Sequence, residues 1–242
     1  MRIPSLILAL AALGATTVSA IAADAPPKTT HAVADLGYVG TAGNSQIQTL
    51  SGSEKLELLL RPWKLTQDGA AVWGSDDGTE NAGRYLFGLR GDREVNSRLS
   101  VYALGSWRRN TFAGITRQFD EGAGLAYHAL IPKPQQLDFE AGAGFAQRRS
   151  TSGLDENFGT GRLAALYRYY FQEKTYFETG GRYLHNFKHS TDYEWGTRTT
   201  LVAPLANHLA VKLAHDYSFR NTPPAGFKQW DSTFAAGVQL NW

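Results

Sequence analysis

Cysteine is absent from the chain, and the one methionine is Met1. Without cysteine, an exported chain carries neither a disulfide framework nor the lipid-bearing cysteine of a lipoprotein. Charge of one sign is also missing: 24 Lys and Arg stand against 22 Asp and Glu, and the signs are interleaved. No basic patch exists to bind nucleic acid, and no such partner is expected. Beyond residue 22 there is no long apolar run, which excludes a helical membrane span of about 20 residues.

The one apolar run is N-terminal. Met1-Arg2 is a short positive start, and Ile3 to Leu13 is apolar apart from Pro4 and Ser5. Val18-Ser19-Ala20 and Ala20-Ile21-Ala22 follow as small-residue cleavage sites. This core is too short to span a bilayer and reads as a secretory signal peptide over residues 1–22, cleaved within 20–23. Residues 23–32 are expected as a flexible leader and 33–242 as one domain.

What is abundant is alternation. Phe234, Ala236, Val238, Leu240 and Trp242 take every second position at the end of the chain, with Ala235, Gly237, Gln239 and Asn241 between them. A period of two places the sets on opposite faces of a strand. Leu209 to Arg220, Leu137 to Ala146, Arg98 to Arg108 and Arg84 to Asp92 alternate likewise, apolar against polar or charged. A charged face cannot meet lipid, so it must line an interior. The fold class expected is all-β: an antiparallel up-and-down transmembrane barrel of twelve strands, with ten as the fallback. Its place is the outer membrane and its first partner that lipid bilayer.

The connections support this. Arg61-Pro62, Glu94 to Ser97, Pro132 to Pro134, Gln172 to Lys174 and Pro204 to Asn207 are short. They alternate with 43–46, 75–83, 110–116, 150–157, 188–192 and 221–229, mostly longer, as short periplasmic turns alternate with outer loops. A soluble sandwich has no reason to alternate loop lengths. Aromatic belts are expected at both rims, from Trp63, Tyr169, Phe171, Phe177 and Trp242 near the short turns. Trp73, Trp107, Phe119, Phe187, Trp195, Phe219 and Trp230 serve the other rim.

The candidate lumen-lining residues are Arg84, Arg90, Asp92, Arg98, Arg108, Asp138, Glu140, Arg162, Arg168, Glu178, Arg182 and Arg198. Arg148, Lys212, Glu54, Asp120, Glu194 and Asp216 join them. A hairpin centred on Glu173 would set Arg168 opposite Glu178, and one centred on Val95 would set Asp92 opposite Arg98. Two readings of such an interior stay open: a polar pore with a slight anion preference, or a salt-bridged, largely plugged lumen.

Three patterns fail on context. Gly159-Thr-Gly161-Arg-Leu-Ala164 matches a dinucleotide fingerprint but lies between a loop and a strand, not a strand and a helix. His185 and His189 have a helical metal spacing on a non-helical segment, with Asn186 where a zinc protease has glutamate. His215 faces outward with no serine and acid that the sequence places beside it. No cofactor, metal site or catalytic residue is expected.

Gly43-Asn-Ser-Gln-Ile-Gln-Thr-Leu50, Asn221-Thr-Pro-Pro-Ala-Gly-Phe-Lys228 and Asp231-Ser-Thr before the last strand resemble the salt-induced outer-membrane protein family. This family is catalogued as a domain of unknown function, and the resemblance spans 33–242. It implies an outer-membrane barrel linked to salt or osmotic stress, acting as a narrow channel or an envelope component. A non-conducting barrel that binds an external partner through its loops, and a lipid-modifying enzyme, are the alternatives. Gly237, Leu240 and Trp242 resemble the signal read by the barrel-assembly machinery, although Ala235 stands where that signal has a polar residue.

Overall fold

In the computed structural model, residues 29–42, 48–76 and 79–242 are described. The expected signal peptide and the motif's Gly43 to Ile47 lie outside them, as does the side chain of Trp73. Twelve strands follow in order: β1 (Thr29–Ala42), β2 (Gln48–Leu60), β3 (Trp63–Asp76), β4 (Thr79–Asn96), β5 (Leu99–Asn110) and β6 (Ile115–Leu130). Then come β7 (Gln135–Ser150), β8 (Asp155–Tyr170), β9 (Tyr176–Asn186), β10 (Tyr193–Ala206), β11 (Leu209–Arg220) and β12 (Trp230–Asn241). Each pairs antiparallel with its neighbours in the chain, and β12 returns to β1, closing the ring. Twelve, the first of the two expected numbers, is the strand count.

Closure is what lets such a chain exist in lipid, where each unpaired backbone group costs several kcal/mol. The seam runs from Val33 opposite Asn241 to Ala42 opposite Ser232. β1 starts at Thr29, not at the expected 33, because Thr29 to Ala32 pair with Leu59 to Leu56. Two outer connections are also tighter than expected. β3 runs to Asp76, β4 starts at Thr79 and β8 at Asp155. These strands outrun the about 9–11 residues that a bilayer requires, so their ladders continue above it.

The face assignment follows the alternation. Leu125, Phe139, Phe145, Leu163, Leu213, Phe234 and Val238 are exposed on the outer wall, while Asp92, Ser100, Gln118, Arg148 and Gln239 are buried. A wall of exposed apolar side chains around buried polar ones is the reverse of a soluble domain, and lipid is the solvent that makes it stable. Trp63, Phe171 and Trp242 are exposed at one rim; Phe119, Phe187, Trp195 and Trp230 are exposed at the other. Between β9 and β12 the upper belt is continuous: Tyr193 and Trp195 each lie against Phe219, Trp195 also meets Tyr217, and Tyr217 stacks on Trp230.

Inside, the Tyr102 hydroxyl lies over Gly124 and Gly142. A Cβ added at Gly142 would sit 2.5 Å from the Tyr102 hydroxyl and 2.6 Å from the Ala123 carbonyl. The glycines therefore keep β6 and β7 smooth where that hydroxyl rests.

Candidate functional site in the barrel interior

The charged residues converge on the lumen, and many of their partners lie on strands that are not neighbours. Arg90 of β4 bonds Glu140 of β7 (Nη1–Oε1, 2.8 Å), and Arg162 of β8 reaches the same carboxylate at 3.0 Å. Arg108 of β5 meets Glu194 of β10 at 2.8 Å. Lys212 of β11 meets Asp35 of β1 at 2.6 Å. Arg84 of β4 comes within 3.9 Å of Asp216 of β11, which Arg198 also binds at 2.5 Å. Contacts between non-adjacent strands of a ring must cross its interior, so these side chains all point inward.

The turn arithmetic holds at one hairpin and fails at the other. Arg168 and Glu178 are direct partners and form an ion pair; such a cross-strand pair contributes about 0.2–1 kcal/mol. Asp92, however, lies opposite Tyr102, because the β4–β5 register shifts between Glu94 and Asn96. Its partner is Arg90 on its own strand, at 2.7 Å. Arg98 is not in the lumen. It sits exposed in the turn, where its backbone N–H donates to Asn96 Oδ1 at 2.9 Å. Arg182 points inward but has no carboxylate within ion-pair distance among the described residues.

Sequence reasoning missed two serine–histidine contacts. Ser100 Oγ is 3.0 Å from His128 Nε2, whose Nδ1 lies 2.6 Å from Asp138 Oδ1. A bulge between His128 and Leu130 sets His128 opposite Asp138, and no sequence signal marks it. With Nδ1–H donating to Asp138, Nε2 accepts from the serine hydroxyl. The order matches a hydrolytic triad, but Ser100 is 3% exposed. Its strand is laddered on both sides, so the flanking backbone N–H groups are committed and offer no oxyanion hole. What the trio does is tie β5, β6 and β7 together near the periplasmic end. On the outer wall, His215 Nε2 lies 2.9 Å from Ser232 Oγ. That serine comes from the neighbouring β12, in a register that the sequence alone did not fix, opposite Tyr217 and diagonal to His215; no carboxylate is hydrogen-bonded to His215 among the described residues.

The outer mouth is covered. The β11–β12 connection, 221–229, lies six strands around the ring from the β5–β6 connection. Even so, Pro224 and Phe227 rest on Gly114, so that a Cβ there would meet both at 2.9 Å. Gly114 itself has φ 70°, open to glycine with little cost. The segment that carries the family resemblance is thus a lid spanning the lumen. Its base is tied to the β9–β10 loop, where Asn221 Nδ2 and Thr222 Oγ1 donate to the Thr191 carbonyl at 2.9 and 3.0 Å.

Asp192 of that loop is the pin. It accepts from Arg148 at 2.7 Å, from Asn186 at 3.0 Å and from Arg220 at 3.2 Å. Burial alone would raise its carboxyl, but Arg220, Asn186 and Arg148 together hold it below the ordinary carboxylate range. A depressed folded value means stability that is present above the unfolded pKa of about 3.9 and lost as pH falls through the folded one. Protection of 187–192 against hydrogen exchange, relative to the unstructured rate at the same pH, should be high at neutral pH and low in strong acid. Asp192→Asn should make it low at neutral pH; unchanged protection would refute the pin.

His185 is the penultimate residue of β9 and packs on Tyr183 and Phe187, and Gly159 to Ala164 lie within β8. Neither the metal spacing nor the dinucleotide match meets its required context.

Known structures share the architecture. The NanC porin superposes with a TM-score of 0.59 at 10% identity, over 86% of this chain and 98% of its own. The translocator domain of the autotransporter NalP from Neisseria meningitidis gives 0.54 at 10% identity, covering 87% and 88%. An outer-membrane channel from Pseudomonas putida F1 gives 0.51 at 12% identity, covering 91% and 97%. At such identities the likeness shows the fold. No curated protein matches the sequence. The family described as "Protein of unknown function, DUF481" matches residues 34–242. With its closed barrel and its two end motifs, the chain belongs to that family of outer-membrane β-barrels.

Proposed function

We propose that the protein is a narrow outer-membrane channel, lidded by 221–229, that serves the envelope under salt or osmotic stress. The observation that carries the channel reading is a wet lumen. The inward-facing Arg198 side chain keeps 60% of its surface exposed, and Arg182 is exposed as well. Inward residues stay exposed only where the barrel holds space for water. The stress link rests on the resemblance of the end motifs. Export by a cleaved signal peptide, and delivery through Gly237, Leu240 and Trp242 to the barrel-assembly machinery, complete the reading.

The cross-lumen pairs of Arg90 with Glu140 and Arg108 with Glu194 favour a second reading, a non-conducting barrel that displays its loops. Single-channel recording in planar bilayers separates the two. The mature protein should show small conductance steps, and replacing 223–227 by glycine and serine should enlarge them or lengthen their open time. Silent membranes with both proteins would leave the non-conducting barrel.

A further inference from the structure

The interior is not evenly filled. From β10 through β12 and β1 to β3 its lining is small, with Ser51, Ser53, Ala70, Ala214 and Ala235 facing a cavity of ≈ 100 Å³. Arg84, Arg198, Lys212, Asp35 and Asp216 border that space. Lys212 is neutralised by Asp35, which also accepts from Ser53 Oγ at 2.7 Å. Arg198 grips Asp216 through Nε at 2.5 Å and Nη2 at 3.2 Å. Arg84 reaches that carboxylate only at 3.9 Å, beyond hydrogen-bond length.

Arg182 adds a third guanidinium. It lies opposite Gly196 on β10, two residues from Arg198, and so is diagonal to it on the inner face. Arg84 and Arg198 therefore share one carboxylate beside open space, and Arg182 stands next to them on the same inner face, outside the cavity's own lining. Glu194 is held by Arg108, and Asp231 of β12 lies level with Arg182 across Gly196 and Ser218. Elsewhere in the lumen Arg90, Arg162 and Arg168 each have a carboxylate within 3.0 Å. Among the described residues, Arg84 and Arg182 are the lumen guanidiniums left without a carboxylate within hydrogen-bond length.

We propose that Arg84, Arg182 and Arg198, with the adjoining cavity, form a binding site for a small oxyanion, inorganic phosphate being its simplest form. Guanidinium forks match an oxyanion with two parallel N–H donors, and an anion there relieves the repulsion among three like charges. The site names the class of solute for the channel reading and deepens it, but binding does not need conduction.

Calorimetric titration of the folded mature barrel in detergent, with phosphate at constant ionic strength, tests it. Chloride is the control, and folding is checked by altered gel mobility before boiling. Phosphate should bind saturably. Arg182→Gln gives up no ion pair and should still fold, yet it should weaken binding about tenfold or more, as loss of a charged hydrogen-bond donor does. Arg84→Gln should act likewise, and Arg149→Gln, on the outer face, should not. No saturable signal, chloride binding equal to phosphate, or an affinity unmoved by Arg182→Gln would each overturn the site. A silent barrel that binds phosphate keeps the site and loses the channel; a conducting one that does not bind keeps only the channel.

Discussion

Gly237→Val is expected to prevent formation of the folded barrel. Gly237 of β12 lies directly opposite Gly37 of β1 at the seam where the ring closes. A Cβ there would collide with the Leu36 carbonyl oxygen and sit 2.5 Å from Gly37 Cα. The obstacles are backbone atoms, which no rotamer change can clear. Overpacking in a filled core costs about 1–3 kcal/mol, and a ring cannot spread that strain by shifting one edge. The β1–β12 ladder would have to part, exposing unpaired backbone groups to lipid. Gly105→Ala serves as control, because nothing lies within 4 Å of its added Cβ. Refolding into detergent should give the boiling-sensitive fast band for the control and almost none for Gly237→Val. Equal yields would show that β12 does not close on β1 in this register.

The second large effect contrasts two adjacent residues of β11. Leu213 is exposed on the outer wall in mid-strand, where arginine meets hydrocarbon and costs about 2–4 kcal/mol. Ala214 borders the cavity that holds Arg84, Arg198 and Lys212. A carboxylate at that position gains cationic neighbours and water. Urea titrations in liposomes should therefore show Leu213→Arg strongly destabilised and Ala214→Asp near wild type. Ala214→Asp should also abolish phosphate binding, since it supplies the missing anion internally. Equal destabilisation of the two would reverse the inside and outside of the wall.

Periodicity by itself determined the barrel, narrowed the strand count to twelve or ten, and set the lipid-facing side of most strands. On β2 it put Glu54 in the lumen, whereas Glu54 pairs with Ala34 and Gly69 on the outer face. A side-chain period of two is a local property, and a face that holds Asp138, Glu140 and Arg162 can turn nowhere but inward. The Glu173 hairpin shows how far local reasoning extends: symmetric spacing sufficed to pair Arg168 with Glu178. It stopped at irregular turns, where the register shift at Asn96 moved Asp92 from Arg98 to Arg90, and the bulge after His128 set that ring between Ser100 and Asp138. Only the closed ring decided the contacts that matter for function. Arg108 and Glu194 are 86 residues apart, and nothing local relates them; they meet because closure makes the lumen narrow enough for side chains to reach across it. For the same reason a motif readable as 221–228 became a lid only when a rim six strands away came within its reach, and Arg84 came to face Arg182 and Arg198 only when the ring set β4 across from the neighbouring β9 and β10.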